Sequence, residues 1–195
     1  GAIAKQILRQ HKIEIKSFVT QIGEERSESF SHSKISEILQ KIKKQNDTVG
    51  AAMRVEIENL PVGIGDPYFR KLQSGLAQAM FSINALKGFE YGEGFRSASM
   101  KGSECNDVFI RKEDKIRCKT NHSGGIQGGI SNGEKVYFNV AFKPIPTIMQ
   151  TQTTVDASGN AVEYNIEGRH DVCVVPRVIP IVEAMTAIVV ADFLV

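Results

Sequence analysis

The stretch Val49-Gly50-Ala51-Ala52-Met53-Arg54-Val55-Glu56-Ile57-Glu58 decides the fold class. Val49, Ala51, Met53, Val55 and Ile57 alternate with Arg54, Glu56 and Glu58, the period of a strand with one buried and one wet face. Such alternation belongs to antiparallel sheet covered on one side, not to the two-sided parallel sheet of a βαβ fold. Val136, Phe138, Val140 and Phe142 repeat the pattern near the other end of the chain. Ile148 to Val155 and Ala161 to Ile166 read as a hairpin across the Asp156-Ala157-Ser158-Gly159-Asn160 turn. An extended run is expected at Ile13 to Ile22 and a short strand at Phe89 to Phe95.

Helical segments lie between these strands. Residues 33–45 carry Ile35, Ile38, Leu39 and Ile42 at i, i+3, i+4, i+7 spacing. Ala2 to Leu8 reads as a helix. Asp66-Pro67 predicts another helix start, with the proline at the first helical position. Phe69, Leu72, Leu76, Ala79, Met80 and Ile83 form its apolar face, and Gly88 is the expected stop. Pro180 is expected to open a last helix, and Lys101 to Asn121 reads as polar and irregular. Without regular βαβ alternation, the class is α+β, with antiparallel sheet packed on helices.

Composition narrows the function classes. The 195 residues are 42% hydrophobic and 24% charged, with a formal net charge of +2, as in an ordinary soluble domain. No concentrated basic face exists for nucleic acid. Lys41, Lys43 and Lys44 read as the solvated side of a helix. Three separated cysteines, Cys105, Cys118 and Cys173, disfavour both zinc and a disulfide framework, and fit a reducing cytoplasm. No metal site is expected. Val178 to Val195 is apolar but contains Glu183 and Asp192, so it reads as a buried helix, not a membrane span. The apolar chain ends suggest a piece of a larger protein.

Two segments stand out chemically. Gly168-Arg169-His170-Asp171-Val172-Cys173-Val174-Val175-Pro176-Arg177 places two arginines, a histidine and a carboxylate just before an apolar C-terminus, which suits an anion-binding pocket that moves a proton, or else a loop of surface ion pairs. Asn121-His122-Ser123-Gly124-Gly125-Ile126-Gln127-Gly128-Gly129-Ile130-Ser131 can bring backbone N–H groups to a ligand, or be a flexible turn. It lacks the Gly-Lys-Ser/Thr ending of a P-loop and the strand–helix context of a dinucleotide fingerprint. Lys143-Pro144-Ile145-Pro146-Thr147 ends a strand with an ammonium, rigid prolines and a hydroxyl. Asn84 near a helix end would usually cap it. Neither a nucleophile elbow nor H-E-x-x-H occurs.

Gly-Asp-Pro-Tyr-Phe at 65–69, Ile-Asn-Ala-Leu-Lys-Gly-Phe-Glu-Tyr-Gly at 83–92, the glycine-rich 121–131, Phe-Lys-Pro at 142–144 and Gly-Arg-His-Asp at 168–171 occur in one order. In that order and spacing they resemble the C-terminal part of the chorismate synthase family, over nearly the whole chain. The resemblance implies that residues 1–195 are the C-terminal portion of a single domain. It also implies a truncated layered β-α-β sandwich. The activity implied is a lyase that converts 5-enolpyruvylshikimate 3-phosphate to chorismate and phosphate by anti-1,4 elimination, with reduced FMN as cofactor.

By motif position, Asn84, Ala85, Gly128 and the run Lys143, Pro144, Ile145, Pro146, Thr147 would bind FMN. Arg169 would face both flavin and substrate, and Asp171 would assist proton removal. His170 would support the loop. Where the family commonly has K-P-T, Ile145 replaces a hydroxyl residue, and Val172 stands where a proline usually follows the aspartate. The family's N-terminal histidine motif, phosphate-gripping arginines and Arg-Ser-Ser-Ala-Arg-Glu segment are not in this sequence. The resemblance therefore implies an inactive chain on its own, a homotetramer in the family and a cytoplasmic location. It leaves open whether such an enzyme reduces its own flavin with NADP(H). Two alternatives are that the chain is only a folding and oligomerisation module, or an unrelated binder of phosphate ligands.

Overall fold

A computed structural model describes residues 1–195 apart from Glu167, Arg169 and the side chain of Lys115. Helices are α1 (Ala2–Gln10), α2 (His32–Lys44), α3 (Leu72–Phe81), α4 (Gly102–Cys105) and α5 (Val175–Leu194). Strands are β1 (Glu14–Ile22), β2 (Glu25–Arg26), β3 (Ala51–Glu58), β4 (Leu86–Tyr91), β5 (Phe109–Lys112), β6 (Lys115–Cys118), β7 (Ile126–Gln127), β8 (Ile130–Ser131), β9 (Val136–Phe142), β10 (Gln152–Val155) and β11 (Ala161–Tyr164). Five strands form an antiparallel sheet in the order β2-β1-β3-β9-β4.

The alternation in β3 has the expected consequence. Ala51, Met53, Val55 and Ile57 are buried, and Ala52, Arg54, Glu56 and Glu58 are partly exposed. In β9, Val55 faces Phe138 and Met53 faces Val140, which continues the apolar face across the sheet. Helices α1, α3 and α5 pack on this side, with α5 touching α1, α3 and β1. Val175, Val178, Val182, Ala187 and Val190 of α5 are buried against the sheet layer. Full burial of each such side chain is worth about 1.5–3 kcal/mol relative to exposure. The α+β class holds, and the described residues supply one five-stranded sheet, three two-stranded hairpins and one helical layer on the large sheet.

The opposite sheet face is polar. Lys16 pairs with Glu58 at 2.8 Å, Lys135 with Glu56 at 2.7 Å, and the Arg54 guanidinium lies 4.0 Å over the Tyr137 ring.

Several local expectations fail, each for a tertiary reason. Helix α3 starts at Leu72, not at Asp66-Pro67, because the carbonyl of Gly129 accepts the Leu72 N–H at 2.8 Å and starts the helix from outside. Phe69 is consequently 99% exposed instead of lying on the apolar face. Gly88 does not stop the helix. The chain leaves it at Ser82, and Gly88 pairs with Ala141 inside β4, beside a bulge. The strand expected at Phe89 to Phe95 is β4 instead, followed by a 3₁₀ turn over Gly94–Ser99. Lys101 to Asn121 contains α4 and the β5–β6 hairpin. Pro180 lies inside α5, which begins five residues earlier. Its missing N–H frees only the Pro176 carbonyl, and both prolines are on the exposed side.

Candidate functional site

One edge of the fold gathers most of the segments singled out in the sequence. Helix α3 ends with Ser82, whose hydroxyl bonds back to the Ala79 carbonyl at 2.6 Å, so Asn84 is not the cap. The turn into β4 holds Ala85 at φ +69°, and its carbonyl accepts the Lys143 N–H at 3.0 Å. Asn84 projects beside this contact, exposed.

Past β9, Pro144 and Pro146 offer no backbone donor, so the strand cannot continue. The chain turns instead across the end of α2. The Thr48 hydroxyl donates to the Ile145 carbonyl at 2.6 Å, and the Met149 N–H donates to the Asn46 carbonyl at 3.2 Å. Ile145, which occupies a hydroxyl position of the motif, thus contributes its backbone to the turn. The segment before α5 joins the same edge, because the Val49 N–H donates to the Val172 carbonyl at 2.9 Å.

These contacts frame a cavity of about 670 Å³ between α2 and the start of α5. Ile35, Leu39, Met149, Val175 and Ile179 form its apolar wall, and His32, Lys43, His170 and Asp171 supply the polar groups. Asp171 is clamped by Arg177, with Nη2 to Oδ1 and Nε to Oδ2 both at 3.0 Å. Burial pushes the Cys173 thiol pKa up, so that residue is an inert part of the wall. The arrangement offers a largely apolar cavity with the Arg177-held Asp171 carboxylate and Lys43 in its lining. Sequence reading placed Lys43 on a solvated face and gave α2 no part in a site. Only the placement of α2 across the cavity from the start of α5 puts it there.

Gly128 is not gathered with the rest. It is exposed, at φ +63°, in the turn between β7 and β8 beside the start of α3. Asn84 lies beyond the opposite end of that ten-residue helix, about 15 Å along its axis. Much of the glycine-rich loop is committed to its own structure. The Gly125 N–H bonds the Asn121 side chain at 2.7 Å, and that side chain also donates to the Lys135 carbonyl at 2.7 Å. Arg169 lies outside the described residues.

Among the described residues no three His, Cys, Asp or Glu side chains are placed to hold a metal ion. Among the described residues no helix is long and apolar enough to cross a membrane.

The sequence model described as chorismate synthase matches residues 1–195. The chain belongs to the chorismate synthase family. It is 45% identical over 214 residues to the chorismate synthase of Azobacteroides pseudotrichonymphae genomovar. CFP2, covering 99% of this chain and 60% of that protein. It is 54% identical over 154 residues to the chorismate synthase of Methylacidiphilum infernorum (isolate V4), covering 79% of this chain and 42% of that protein. A crystal structure of chorismate synthase superposes with a TM-score of 0.79 at 27% identity, over 99% of this chain and 60% of the other. The chain therefore spans about 60% of the length of the Azobacteroides relative and of the crystallised chorismate synthase.

Proposed function

We propose that this chain forms one wall of a chorismate synthase active site, which converts 5-enolpyruvylshikimate 3-phosphate to chorismate and phosphate by anti-1,4 elimination with reduced FMN. The observation that carries this reading is the gathering of Asn84–Ala85, Lys143–Thr147 and Asp171 at one edge, in a chain that matches the family throughout. The donor set fits an anionic, planar cofactor. The Asn84 amide and the Lys143 ammonium are exposed donors brought to one edge by the Lys143 N–H to Ala85 carbonyl bond.

When bound, the reduced flavin would supply electron density to the breaking C3–phosphate bond. Lys143 and Thr147 would offset and hydrogen-bond its polar groups, the Asn84 side chain and Ala85 backbone would hold it, and the Pro144-Ile145-Pro146 turn would keep these groups in register. Gly128, a helix length from these groups, would meet only a distant part of the cofactor. By motif position, Arg169 would set fixed charge against the flavin and the substrate phosphate. Asp171, oriented by Arg177, takes part in removing the C6 proton.

In this reading residues 1–195 are the C-terminal portion of one domain, the protein works in the cytoplasm as a homotetramer, and this chain alone is inactive. The experiment is a chorismate-formation assay with reduced FMN, on this chain and on a full-length chorismate synthase carrying it. Turnover by the chain alone overturns the half-site reading. Titration of the chain with reduced and oxidised FMN, followed by flavin fluorescence, separates a cofactor-binding wall from a module that only folds and oligomerises.

A further inference from the structure

Among the described residues Asp171 is the one carboxylate that lines the cavity between α2 and the start of α5, and Arg177, which grips it, is not part of that lining. Nε and Nη2 of Arg177 each lie 3.0 Å from a different carboxylate oxygen. Two such contacts fix the plane of the carboxylate as well as its position, whereas a single contact leaves it free to turn. Each oxygen keeps a second lone pair, so the gripped carboxylate can still accept a proton.

The two ends of this contact are built differently. Asp171 sits in the irregular segment ahead of α5, where no helix or strand sets the direction of its side chain. Its backbone is pinned nearby, since the Val172 carbonyl accepts the Val49 N–H at 2.9 Å and Cys173 is buried. Arg177 lies in the first turn of α5, with its N–H bonded to the Val174 carbonyl at 2.9 Å. Val175 and Val178 of the same turn are buried. The Asp171 side chain therefore takes its direction from a helix rooted in the core.

Both side chains are substantially exposed, so the pair adds little to stability. Placement of a proton acceptor matters far more to rate, because a misplacement of about 1 Å can cost about 10²-fold. Lysine cannot reproduce the contact, since an ammonium is a point donor without the planar fork.

We propose that Arg177 is a positioning residue that acts through Asp171: its fork sets the plane and direction in which that carboxylate is presented to the cavity. The inference rests on the proton-transfer role proposed for Asp171, and it adds to that site a residue from outside the cavity wall.

The test is a double-mutant cycle in a full-length chorismate synthase carrying this segment. For each variant, kcat, the KM for 5-enolpyruvylshikimate 3-phosphate and the Kd for FMN are measured. Arg177→Ala should lower kcat about 10–10²-fold, with KM and Kd kept within about 3-fold. Arg177→Lys should stay at least ~5-fold below the parent in kcat, because one ammonium cannot hold both oxygens. In the Asp171→Ala background, Arg177→Ala should cost no more than about 2-fold further, since its effect runs through the missing carboxylate. In the 195-residue chain, Arg177→Ala should move the amide NMR signals of His170 to Val172 and leave those of Ala51 to Glu58 in place. Should Arg177→Ala fail to fold, Arg177→Lys carries the cycle alone. Full additivity of the two substitutions, parent kcat in either Arg177 variant, an effect confined to KM, or unmoved amides at His170 to Val172 would each overturn the proposal and leave the role of Asp171 standing. Parent turnover in Asp171→Ala would overturn both.

Discussion

Arg177 grips Asp171 through two contacts of 3.0 Å, one to each carboxylate oxygen. The arginine sits in the first turn of α5, so the most buried helix of the fold sets the direction of a carboxylate at the cavity wall. The pair is substantially exposed, with side-chain exposures of 73% for Arg177 and 43% for Asp171. Its value is geometric, since exposed ion pairs contribute only about 0.2–1 kcal/mol.

Asp171→Ala should therefore separate activity from stability. In a full-length chorismate synthase carrying this segment, turnover should fall about 10²–10⁴-fold. The urea midpoint of the 195-residue chain should move by less than about 1 kcal/mol equivalent. Wild-type turnover in the variant would remove Asp171 from the proposed proton transfer.

Asp107 gives a pH signature. Burial pushes its carboxyl pKa up, but donation from the Ser123 N–H, the Thr120 hydroxyl and the His122 N–H outweighs burial and holds it below the usual carboxylate range. A carboxylate depressed on folding adds stability above its unfolded value of about 3.9, and that stability is lost as pH falls through the lower folded value. Asp107→Asn should cost about 1–2 kcal/mol at pH 7, with the gap to the parent closing below about pH 4. Urea unfolding from pH 7 to pH 3 measures this, and a gap constant over that range would contradict it.

Glu183 ties three elements together. It accepts the Lys5 ammonium of α1 and the Ser17 hydroxyl of β1, each at 2.6 Å. Glu183→Ala should destabilise the chain by about 1–3 kcal/mol, and Glu183→Gln by roughly half as much, because an amide still serves Ser17. Equal losses in the two variants by chemical denaturation would show that the charge is irrelevant.

Two glycines should behave oppositely. A Cβ on Gly92 would lie 2.2 Å from the His122 carbonyl oxygen, at φ +57°. Gly92→Ala should cost at least about 2 kcal/mol, since backbone must move. Gly128, at φ +63°, has nothing within 4 Å of such a Cβ. Gly128→Ala should cost about 1 kcal/mol, the left-handed conformation alone. Loss of FMN affinity in a full-length enzyme with Gly128→Ala would thus report ligand contact, while a thermal midpoint as low as that of Gly92→Ala would refute the distinction.

Much of the architecture was legible locally. The alternation at Ala51–Glu58 and Val136–Phe142 and the 3.6 spacing around Ile38 name their elements, because side-chain direction repeats along the chain itself. The Asp156–Asn160 turn and its hairpin were also legible, since the Asp156 side chain organises its own loop by accepting the Ser158 and Asn160 N–H groups. The dyad of His122 with Glu93 was not, because 29 residues separate the partners and no motif joins them.

The sequence by itself determined the α+β class, the main strands, α2, and the order of segments that places the chain in its family. Tertiary structure alone decided where α3 begins, because its first N–H is satisfied by Gly129, and what Gly88 does, because Ala141 claims it as a strand partner. It also decided that Asn84, Lys143 and Asp171 share an edge while Gly128 stands a helix length away. Periodicity reports which way a side chain points relative to its own backbone. It carries no information about which distant backbone group will complete a hydrogen bond, and those long-range pairings are what build the site.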